Sequence, residues 1–403
     1  MPPRVTILGL GYIGLPTAAL LASRGLRVQG VDTNPAVRAQ LAAGRAHIAE
    51  PEVEALLERG LRTGLLSLHE TPPPAEVFLL AVPTPLGPDR APVLEHVFAA
   101  ARAIAPALAE DNLVLIESTS PIGTTARVAE LLRALRPDLG ALHLAYGPER
   151  VLPGRIMTEL VENDRVAGGL TPEATRRAVA FYRHFVRGAV LGTDAATAEM
   201  VKLAENAFRD VNIAFANELS LIAEARGLDV WRVIALANRH PRVNILRPGP
   251  GVGGHCIAVD PWFLAAAAPE AARLIPAARA VDAAKRAHVI ARAAALAEAG
   301  ERLICLGLAF KADVEDLRES PALAITAALA QRFPGQVVAV DPHLAAPPEG
   351  LGAPLVALEE AFAAPGAVLV LTDHAAFARI PRAWLAGRAL IDTRGLFREE
   401  ESG

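Results

Sequence analysis

The stretch Val5-Thr6-Ile7-Leu8-Gly9-Leu10-Gly11-Tyr12-Ile13-Gly14 stands near the start of the 403-residue chain. Its apolar start predicts a buried strand, and the helical pattern after Gly14 places three glycines at a strand-to-helix turn. Such a turn lets the backbone approach a pyrophosphate, whose negative charge the helix N-terminus favours. Asp32 ends the next predicted strand, where a carboxylate binds a ribose and repels a 2′-phosphate. The stretch therefore predicts a dinucleotide site that prefers NAD to NADP.

Outward from this stretch, the chain predicts two sheets with a helical region between them. Short apolar runs that alternate with helical patterns are typical of parallel sheets covered by helices. One long amphipathic helix is predicted from Thr197 to about Gly227, and Ser320-Pro321 predicts the start of a later helix. The predicted strands are 5–8, 28–32, 77–82, 113–117 and 142–146 in the first half, and 302–306, 336–340, 367–371 and 389–391 near the end; further helices are predicted at 230–237 and 277–299.

These patterns predict an α/β protein in which two Rossmann-like parallel-sheet domains are joined by a central helical domain with a long helix. We expect the three domains at residues 1–192, 193–298 and 299–403. The length is sufficient for two or three domains with a large core.

Composition limits the classes of function. The formal net charge of -4 and a pI near 6.2 argue against a general affinity for nucleic acid. We expect a cytoplasmic protein without a membrane partner, because neither a signal peptide nor a long apolar segment is visible. Two distant cysteines, Cys256 and Cys305, give no metal-ligand spacing, so no metal is expected. Cys305 lies in an apolar run and reads as a buried small side chain.

The glycine-rich segment Gly251-Val252-Gly253-Gly254-His255-Cys256-Ile257-Ala258-Val259-Asp260-Pro261 predicts a reactive thiol, because the glycines leave room for substrate and water. Asp260 could place a carboxylate near the same reacting carbon. A thiol needs a neighbour that promotes the thiolate, and His255 and Lys202 are the candidates. Inert packing is the ordinary alternative for a lone cysteine.

Lysine is rare in this chain, which favours a chemical role for the lysines that remain. Only Lys202, Lys285 and Lys311 occur, although lysine and arginine together number 40. Lys202, Asn206 and Arg209 are spaced by four and three residues, so they share one face of the long helix. That face could bind an anionic or polyhydroxylated substrate, whereas a solvated polar stripe is the ordinary alternative.

Two further predicted strands end in hydroxyl-bearing segments. Thr84 lies in the segment 81–85, and Thr125 ends the segment 117–125. The carboxyl ends of parallel strands are where such sheets bind ligands, so these hydroxyls are candidates for contact with the cofactor. Ordinary turns and helix caps explain the same residues equally well.

Taken together, these motifs resemble the UDP-glucose/GDP-mannose dehydrogenase family, which comprises UDP-sugar 6-dehydrogenases, over nearly the whole chain. Within the family, the segments 146–154, 162–165 and 238–244 look like the branch that oxidises UDP-N-acetyl-D-mannosamine. The resemblance implies a four-electron oxidation of the sugar C6 hydroxymethyl to a carboxylate with two NAD+. The aldehyde is retained on the cysteine.

The resemblance also implies roles for individual residues. Cys256 would form a thiohemiacetal and then a thioester, Lys202 would donate and accept the proton, and Asn206 would steady the C6 oxygen. Asp260 would position or activate water, and Glu149 would assist hydrolysis. Cofactor contacts would come from Tyr12, Ile13, Asp32, Thr84, Thr125 and Arg318; substrate contacts would come from Arg150, Val151, Lys202, Asn206, Arg209, His240, Arg242, Gly253, Phe310, Lys311 and Arg394. Relatives often carry lysine where Arg394 stands.

By the same resemblance, the first domain would bind NAD, the last would bind the UDP-sugar, and the long helix would hold a homodimer or a larger assembly together. Three rival functions stay open. UDP-glucose or UDP-N-acetylglucosamine 6-dehydrogenase would share the chemistry. A two-electron β-hydroxyacid dehydrogenase would leave the cysteine loop and the third domain unexplained. A non-catalytic nucleotide-sugar sensor would not require cysteine, lysine and carboxylate together.

Overall fold

The structure is a computed structural model that describes residues 3–48, 50, 52–87, 90–152 and 154–398. The chain divides into two compact units. The N-terminal unit comprises residues 1–205 and 262–267, and the C-terminal unit comprises 206–261 and 268–403. Among the described residues, no helix is both long and apolar enough to cross a membrane.

The N-terminal unit contains a large sheet with helices on both faces. In the described residues its strand order is β3-β2-β1-β4-β5-β6-β7-β8, and all neighbouring strands are parallel except β6 and β7. The strands are β1 Arg4–Leu8, β2 Arg27–Val31, β3 Leu66–His69, β4 Val77–Leu80, β5 Leu113–Ile116, β6 His143–Tyr146, β7 Arg165–Gly169 and β8 Val190–Asp194; the helices are α1 Gly14–Ser23, α2 Pro35–Ala42, α3 Val53–Thr63, α4 Glu95–Ile104, α5 Thr124–Leu135, α6 Ile156–Glu162 and α7 Pro172–Tyr182, with a short 3₁₀ turn at Ala105–Ala107.

Alternation along the central strands builds two cores, one on each face of this sheet. On β1, Val5 and Ile7 face the core that includes side chains of α1, α3, α6 and α7. Leu8 and the β4 residue Phe78 face the core beneath α4 and α5. Strands buried on both faces explain the nearly continuous apolar runs from which these strands were predicted.

All five strands predicted in this half are present, whereas β3, β7 and β8 were missed. Each missed strand lacks a full apolar run: β3 is mostly half-buried, β8 is largely exposed, and β7 begins with Arg165 and ends with two glycines. The five predicted strands are parallel, as expected, and the unpredicted strand β7 is added antiparallel to β6.

A long helix, α8 Ala195–Ala225, begins in the N-terminal unit and continues into the C-terminal unit, close to the predicted bounds. The C-terminal unit has a parallel four-stranded sheet in its described residues, with the order β10-β9-β11-β12. Its elements are α9 Val230–Ala237, α10 Asp260–Ala267 (which continues into residues of the N-terminal unit), α11 Leu274–Glu298, β9 Leu303–Leu306, α12 Pro321–Arg332, β10 Val337–Val340, α13 Leu358–Phe362, β11 Ala367–Val370, α14 Arg382–Leu385 and β12 Leu390–Asp392, with a 3₁₀ turn at Phe377–Arg379.

The C-terminal sheet confirms its four predicted strands and is again buried on both faces. Cys305 is fully buried and packs on the face that includes side chains of α11 and α12, while its neighbour Ile304 faces the opposite core. Ser320 caps α12 through its hydroxyl, which accepts a hydrogen bond from the Leu323 N–H, and Pro321 is the first helical residue. The predicted helix start is therefore confirmed.

Gly14 fixes how closely α1 approaches β1. A Cβ added at Gly14 would lie 1.8 Å from the carbonyl oxygen of Gly9, whereas a Cβ at Gly11 would meet nothing within 4 Å. We therefore expect Gly14→Ala to lower the free energy of unfolding by about 1–3 kcal/mol through overpacking. Urea unfolding followed by circular dichroism measures this loss, with Gly11→Ala as the matched control. Equal stabilities of the two variants would contradict the close approach.

Candidate active site

The turn between β1 and α1 is shaped to receive a phosphate group. Gly9 adopts a φ of 88°, and a Cβ there would lie 2.5 Å from the Ala81 carbonyl oxygen. Ile13 is the N-cap of α1, and its apolar side chain forms no capping hydrogen bond with the first N–H groups of the helix. Gly11 and Tyr12 are exposed beside it. Open backbone at an uncapped helix N-terminus fits the pyrophosphate of NAD.

Asp32 lies directly after β2, as predicted, and its carboxylate is fixed by backbone groups. Oδ2 accepts a hydrogen bond from Leu10 N at 3.0 Å, and Oδ1 accepts one from Asn34 N at 2.9 Å. The side chain is half-buried. Asp32 thus stands beside the glycine turn, where it can hydrogen-bond a ribose hydroxyl while its charge disfavours a 2′-phosphate.

The two hydroxyl-bearing segments differ in how their side chains are used. Thr84 is half-buried in the loop after β4, and the nearby backbone of Val82 is held by the Ser118 hydroxyl. Thr125 is fully buried, and both its N–H and its hydroxyl donate to Oε1 of Glu199, at 2.8 and 2.6 Å. Glu199 also accepts from Gly123 N at 2.6 Å. Cofactor contact by Thr84 and Thr125 stays a prediction, and Glu199 is a supporting residue that sequence reasoning missed.

Glu149 belongs to a buried cluster in which one arginine forms ion pairs with two carboxylates. Arg165 forms an ion pair with Oε2 of Glu149, and its other terminal nitrogen lies 3.4 Å from Oε1 of Glu117. The Tyr182 hydroxyl donates to the same Glu117 oxygen at 3.0 Å. The buried Glu117 Oε2 has no hydrogen-bond partner among the residues that the structure describes. Burial raises the pKa of Glu117 to about 7, and the negative charge of Glu149 adds to this rise.

The other predicted residues of the N-terminal unit lie close to this cluster in sequence or on α8. Arg150 donates its N–H to Glu149 Oε1 at 2.6 Å, and its guanidinium pairs with Glu205 at 2.5 Å. Val151 packs partly buried against the first core. Lys202 on α8 is buried, with 9% of its surface exposed, and its role in proton transfer stays a prediction.

In the C-terminal unit, the cysteine loop brings three predicted residues together. Cys256 is half-buried, and its carbonyl accepts the Asp260 N–H at 2.8 Å, which sets the thiol one turn before the carboxylate. Asp260 is 2% exposed, and its Oδ2 accepts a hydrogen bond from Asn206 Nδ2 at 2.5 Å. The structure therefore holds Asp260 against Asn206 and places Cys256 one turn earlier in the chain, and their joint action on a substrate stays a prediction.

The start of the same loop is tied to α8 and to the segment before α12. Asn217 on α8 accepts the Gly249 N–H at 2.8 Å, and the Gly254 N–H donates to the Arg318 carbonyl at 2.9 Å. A Cβ at Gly253 would lie 2.6 Å from the Glu319 carbonyl oxygen, and one at Gly254 would lie 2.8 Å from the Phe310 ring. Gly253, Phe310 and Arg318 are thus neighbours, and their contacts with substrate or cofactor stay predictions.

Phe310 and Lys311 lie on a loop that follows β9, and a buried His–Asp pair holds the backbone of this loop through hydrogen bonds. Asp341 Oδ2 accepts the Leu308 N–H at 2.8 Å and faces Nε2 of His374 at 3.2 Å. Nδ1 of His374 accepts the Asp313 N–H at 2.9 Å. Both ring nitrogens of His374 are used in this way, so the cluster of Asp313, His343 and His374 serves as an anchor for the loop rather than as an open ligand set.

The remaining predicted residues are charged groups at the surface of the C-terminal unit. Lys311 is exposed at its loop. Arg318 pairs with Asp316, and Arg394 pairs with Asp373 at 2.8 Å next to Gly249. Arg209 lies exposed on α8, and His240 and Arg242 lie exposed on the loop after α9. The contacts of these residues with substrate stay predictions.

Three comparisons with known proteins bear on this site. The NAD binding domain of the UDP-glucose/GDP-mannose dehydrogenase family matches residues 3–186, its central domain matches 196–284, and its UDP binding domain matches 304–399. The chain belongs to this family. It is therefore an NAD-dependent dehydrogenase of nucleotide sugars, as the family resemblance implied.

Relatives within the family carry two kinds of name. The chain is 49% identical to the NDP-N-acetyl-D-galactosaminuronic acid dehydrogenase of Ralstonia nicotianae, over 98% of this chain and 96% of that one. It is 46% identical to the UDP-N-acetyl-D-mannosamine dehydrogenase of Escherichia coli K12, over 98% and 99%.

Solved structures of the family share the fold closely. The UDP-D-ManNAc dehydrogenase of Pyrococcus horikoshii superposes with a TM-score of 0.90 at 38% identity, covering 99% of this chain and 97% of that one. The UDP-N-acetyl-mannosamine dehydrogenase Cap5O of Staphylococcus aureus gives 0.86 at 37%, covering 98% and 96%.

The buried carboxyl of Glu117 makes stability depend on pH in a defined direction. Its pKa is raised in the folded protein, so the native state keeps a proton that the unfolded chain releases near the ordinary value of 4.5. Stability is therefore lost as pH rises from about 5 towards 8. We expect Glu117→Gln to remove this loss, so that the variant gains stability relative to the wild type over that range.

Urea unfolding at pH 5, 6, 7 and 8 measures the difference between the two proteins. Glu130→Gln, at an exposed position on α5, is the control and should follow the wild-type pH dependence. If Glu117→Gln also ran parallel to the wild type at every pH, Glu117 would not be the proton-binding group.

Proposed function

We propose that the protein oxidises UDP-N-acetyl-D-mannosamine at C6 to UDP-N-acetyl-D-mannosaminuronate. The choice of substrate rests on one observation. The fold agrees over nearly the whole chain, at 37–38% identity, with two solved structures named as UDP-N-acetyl-mannosamine dehydrogenases. A solved structure named for N-acetyl-D-galactosaminuronic acid, from Methanosarcina mazei, is 27% identical. The segments 146–154, 162–165 and 238–244 support the same branch.

The residues of the cysteine loop support a covalent route. NAD supplies the acceptor for a hydride in each of two oxidations. In the first, the C6 hydroxymethyl loses a hydride and a proton and becomes an aldehyde. The Cys256 thiolate then forms a C–S bond to the aldehyde carbon while the aldehyde oxygen takes back the proton held by Lys202. The resulting thiohemiacetal loses a second hydride and a proton to give a thioester. Water cleaves the C–S bond, which yields the carboxylate and restores the thiol.

Four side chains are proposed to transfer protons, to hydrogen-bond the C6 oxygen or to assist hydrolysis during these steps. Lys202 accepts the hydroxyl proton in the first oxidation, and Asn206 hydrogen-bonds the C6 oxygen. Asn206 Nδ2 is already held by Asp260, so the amide is oriented before substrate arrives. Asp260 orients water for hydrolysis. Glu149, whose second oxygen is occupied by Arg165, assists this hydrolytic step.

Binding of the nucleotide is proposed to use the charged residues outside the cysteine loop. Arg150, Arg209, Arg242 and Arg394 suit the diphosphate, because guanidinium groups form bidentate bonds with phosphate oxygens. The further contacts proposed for the substrate are Val151, His240, Gly253, Phe310 and Lys311; those proposed for NAD are Tyr12, Ile13, Asp32, Thr84, Thr125 and Arg318.

A homodimer or larger assembly through α8 is part of the proposal. Phe208, Phe215 and Ile222 are spaced by seven residues and lie 65%, 47% and 54% exposed. Residues seven apart share one face of a helix, so α8 presents an apolar stripe that a second copy would cover.

A second candidate function follows from the 49% identity with a relative named for N-acetyl-D-galactosaminuronic acid. The same cysteine chemistry would then act on the N-acetylgalactosamine sugar nucleotide. The UDP-glucose and UDP-N-acetylglucosamine alternatives differ likewise only in the sugar pocket.

Incubation of the purified protein with NAD+ and each UDP-sugar separates these candidates. We expect UDP-N-acetylmannosamine alone, among the mannosamine, galactosamine and glucosamine compounds and UDP-glucose, to be oxidised rapidly. Mass spectrometry should find a uronate as product. Preference for the galactosamine compound or for UDP-glucose would replace the proposed substrate, and turnover of none of the four would reject the substrate class.

A further inference from the structure

Two buried carboxyl groups share one arginine in the cluster around Arg165. All three residues are buried, with exposed fractions of 3% for Glu117, 7% for Glu149 and 4% for Arg165. Arg165 forms an ion pair with Oε2 of Glu149, while its other terminal nitrogen lies 3.4 Å from Oε1 of Glu117. One guanidinium balances one negative charge, and a second buried anion beside the first is costly. The cluster therefore favours one bound proton between its two carboxyl groups.

The hydrogen bonds of the two carboxyl groups indicate which of them holds this proton. Both oxygens of Glu149 have donors, because Oε2 pairs with the arginine and Oε1 accepts the Arg150 N–H at 2.6 Å. Glu117 Oε1 accepts the Tyr182 hydroxyl at 3.0 Å, but no donor among the described residues reaches its Oε2. A buried oxygen without a partner costs less on a neutral carboxyl than on an anion. The proton therefore lies on Glu117, and burial raises the pKa of Glu117 to about 7.

The titratable groups that face Glu117 come from three elements other than its own. Arg165 lies on β7, Glu149 on the loop after β6, and Tyr182 on α7. Arg165 and the Tyr182 hydroxyl favour the ionised form of Glu117, whereas burial and the charge of Glu149 oppose it. The Tyr182 hydroxyl also lies 3.2 Å from the carbonyl oxygen of Gly147, at the start of the loop after β6. The cluster therefore contacts the loop that carries Glu149.

We propose that Glu117 is a positioning residue for Glu149: while Glu117 holds a proton, the charge of Arg165 is left to Glu149 and fixes that carboxylate for hydrolysis. This inference rests on the proposed function, because hydrolysis of the thioester is the step that it affects. Loss of the proton divides Arg165 between two anions that repel each other, which displaces Glu149. A reacting group misplaced by about 1 Å can slow a step about 10²-fold. Hydrolysis should therefore slow when Glu117 ionises, whereas the oxidations, which do not use Glu149, should not.

Infrared difference spectra of the full-length protein between pH 6 and pH 8.5 test where the proton lies. Burial also raises the pKa of Asp210 to about 7, so the spectrum of Glu117→Gln is subtracted to isolate Glu117. The carbonyl band of one protonated carboxyl should remain after subtraction and disappear as pH rises, with a midpoint near 7. Tyr182→Phe should move this midpoint to higher pH, because the lost hydroxyl no longer stabilises the anion. Glu130→Gln, at an exposed position, is the control and should match the wild type. If no band remained after subtraction, the proposal would be overturned.

Single-turnover kinetics over the same pH range test the effect on hydrolysis, with enzyme in excess over UDP-N-acetylmannosamine and with NAD+ saturating. NADH reports the oxidations, whereas carboxylate appears only on hydrolysis. The ratio of the hydrolysis rates of the wild type and Glu117→Gln cancels groups that titrate alike in both proteins. We expect this ratio to be near one at pH 6 and to fall about tenfold by pH 8.5, while the NADH phases of the two proteins change alike.

The outcomes separate this role from the proposed function. A ratio of hydrolysis rates that stays constant with pH in an active enzyme would overturn the role of Glu117 and leave the substrate proposal intact. An equal change in the NADH phases would indicate a general structural effect and would also overturn it. Turnover of none of the UDP-sugars would reject the proposed function and the positioning role with it, and the infrared band would still show whether Glu117 holds the proton.

Discussion

The cysteine loop can occupy its place only because residues 253 and 254 have no side chains. The carbonyl oxygen of Glu319 fills the space where a Cβ of residue 253 would lie, and the ring of Phe310 fills that of residue 254. The Gly254 N–H bond to the Arg318 carbonyl then closes the loop onto the segment before α12. This contact determines where Cys256 lies relative to Phe310 and Arg318, so the placement of the thiol depends on backbone packing more than on any property of the cysteine.

The two sheet domains repeat one local design with different outcomes. β1 and β9 are each followed by a glycine with a φ of 88°, Gly9 and Gly307. In each domain the leucine that follows this glycine donates its N–H to an aspartate at the end of the neighbouring strand. Leu10 donates to Asp32 at 3.0 Å, and Leu308 donates to Asp341 at 2.8 Å. Asp32 keeps a half-buried carboxylate, as the proposed contact with a ribose requires, whereas Asp341 faces the buried His374. One copy is thus suited to a cofactor, and the other anchors the Phe310 loop.

Local sequence signals sufficed for features that depend on local geometry. The glycine turn, Asp32 after its strand and the Ser320 cap each follow from a few adjacent residues. The hydrogen bond between Asn206 and Asp260 and the cluster around Arg165 join residues far apart in sequence, so spacing could not reveal them. A charged residue at the border of an apolar run, such as Glu117, was the available signal for the buried cluster. The antiparallel β7 was hidden by its arginine and glycines.

The central claim is that Cys256 holds the sugar covalently between two oxidations. The two cysteines of the chain differ in how deeply each thiol is buried. Burial raises the pKa of Cys305 to about 12, which keeps that thiol protonated, whereas Cys256 is half-buried. The most direct measurement counts NADH and carboxylate formed per UDP-sugar consumed in the wild type, Cys256→Ser and Cys305→Ala. The account predicts two NADH per sugar for the wild type and Cys305→Ala, and no carboxylate from Cys256→Ser despite retained UDP-sugar binding. Normal carboxylate formation by Cys256→Ser would contradict it.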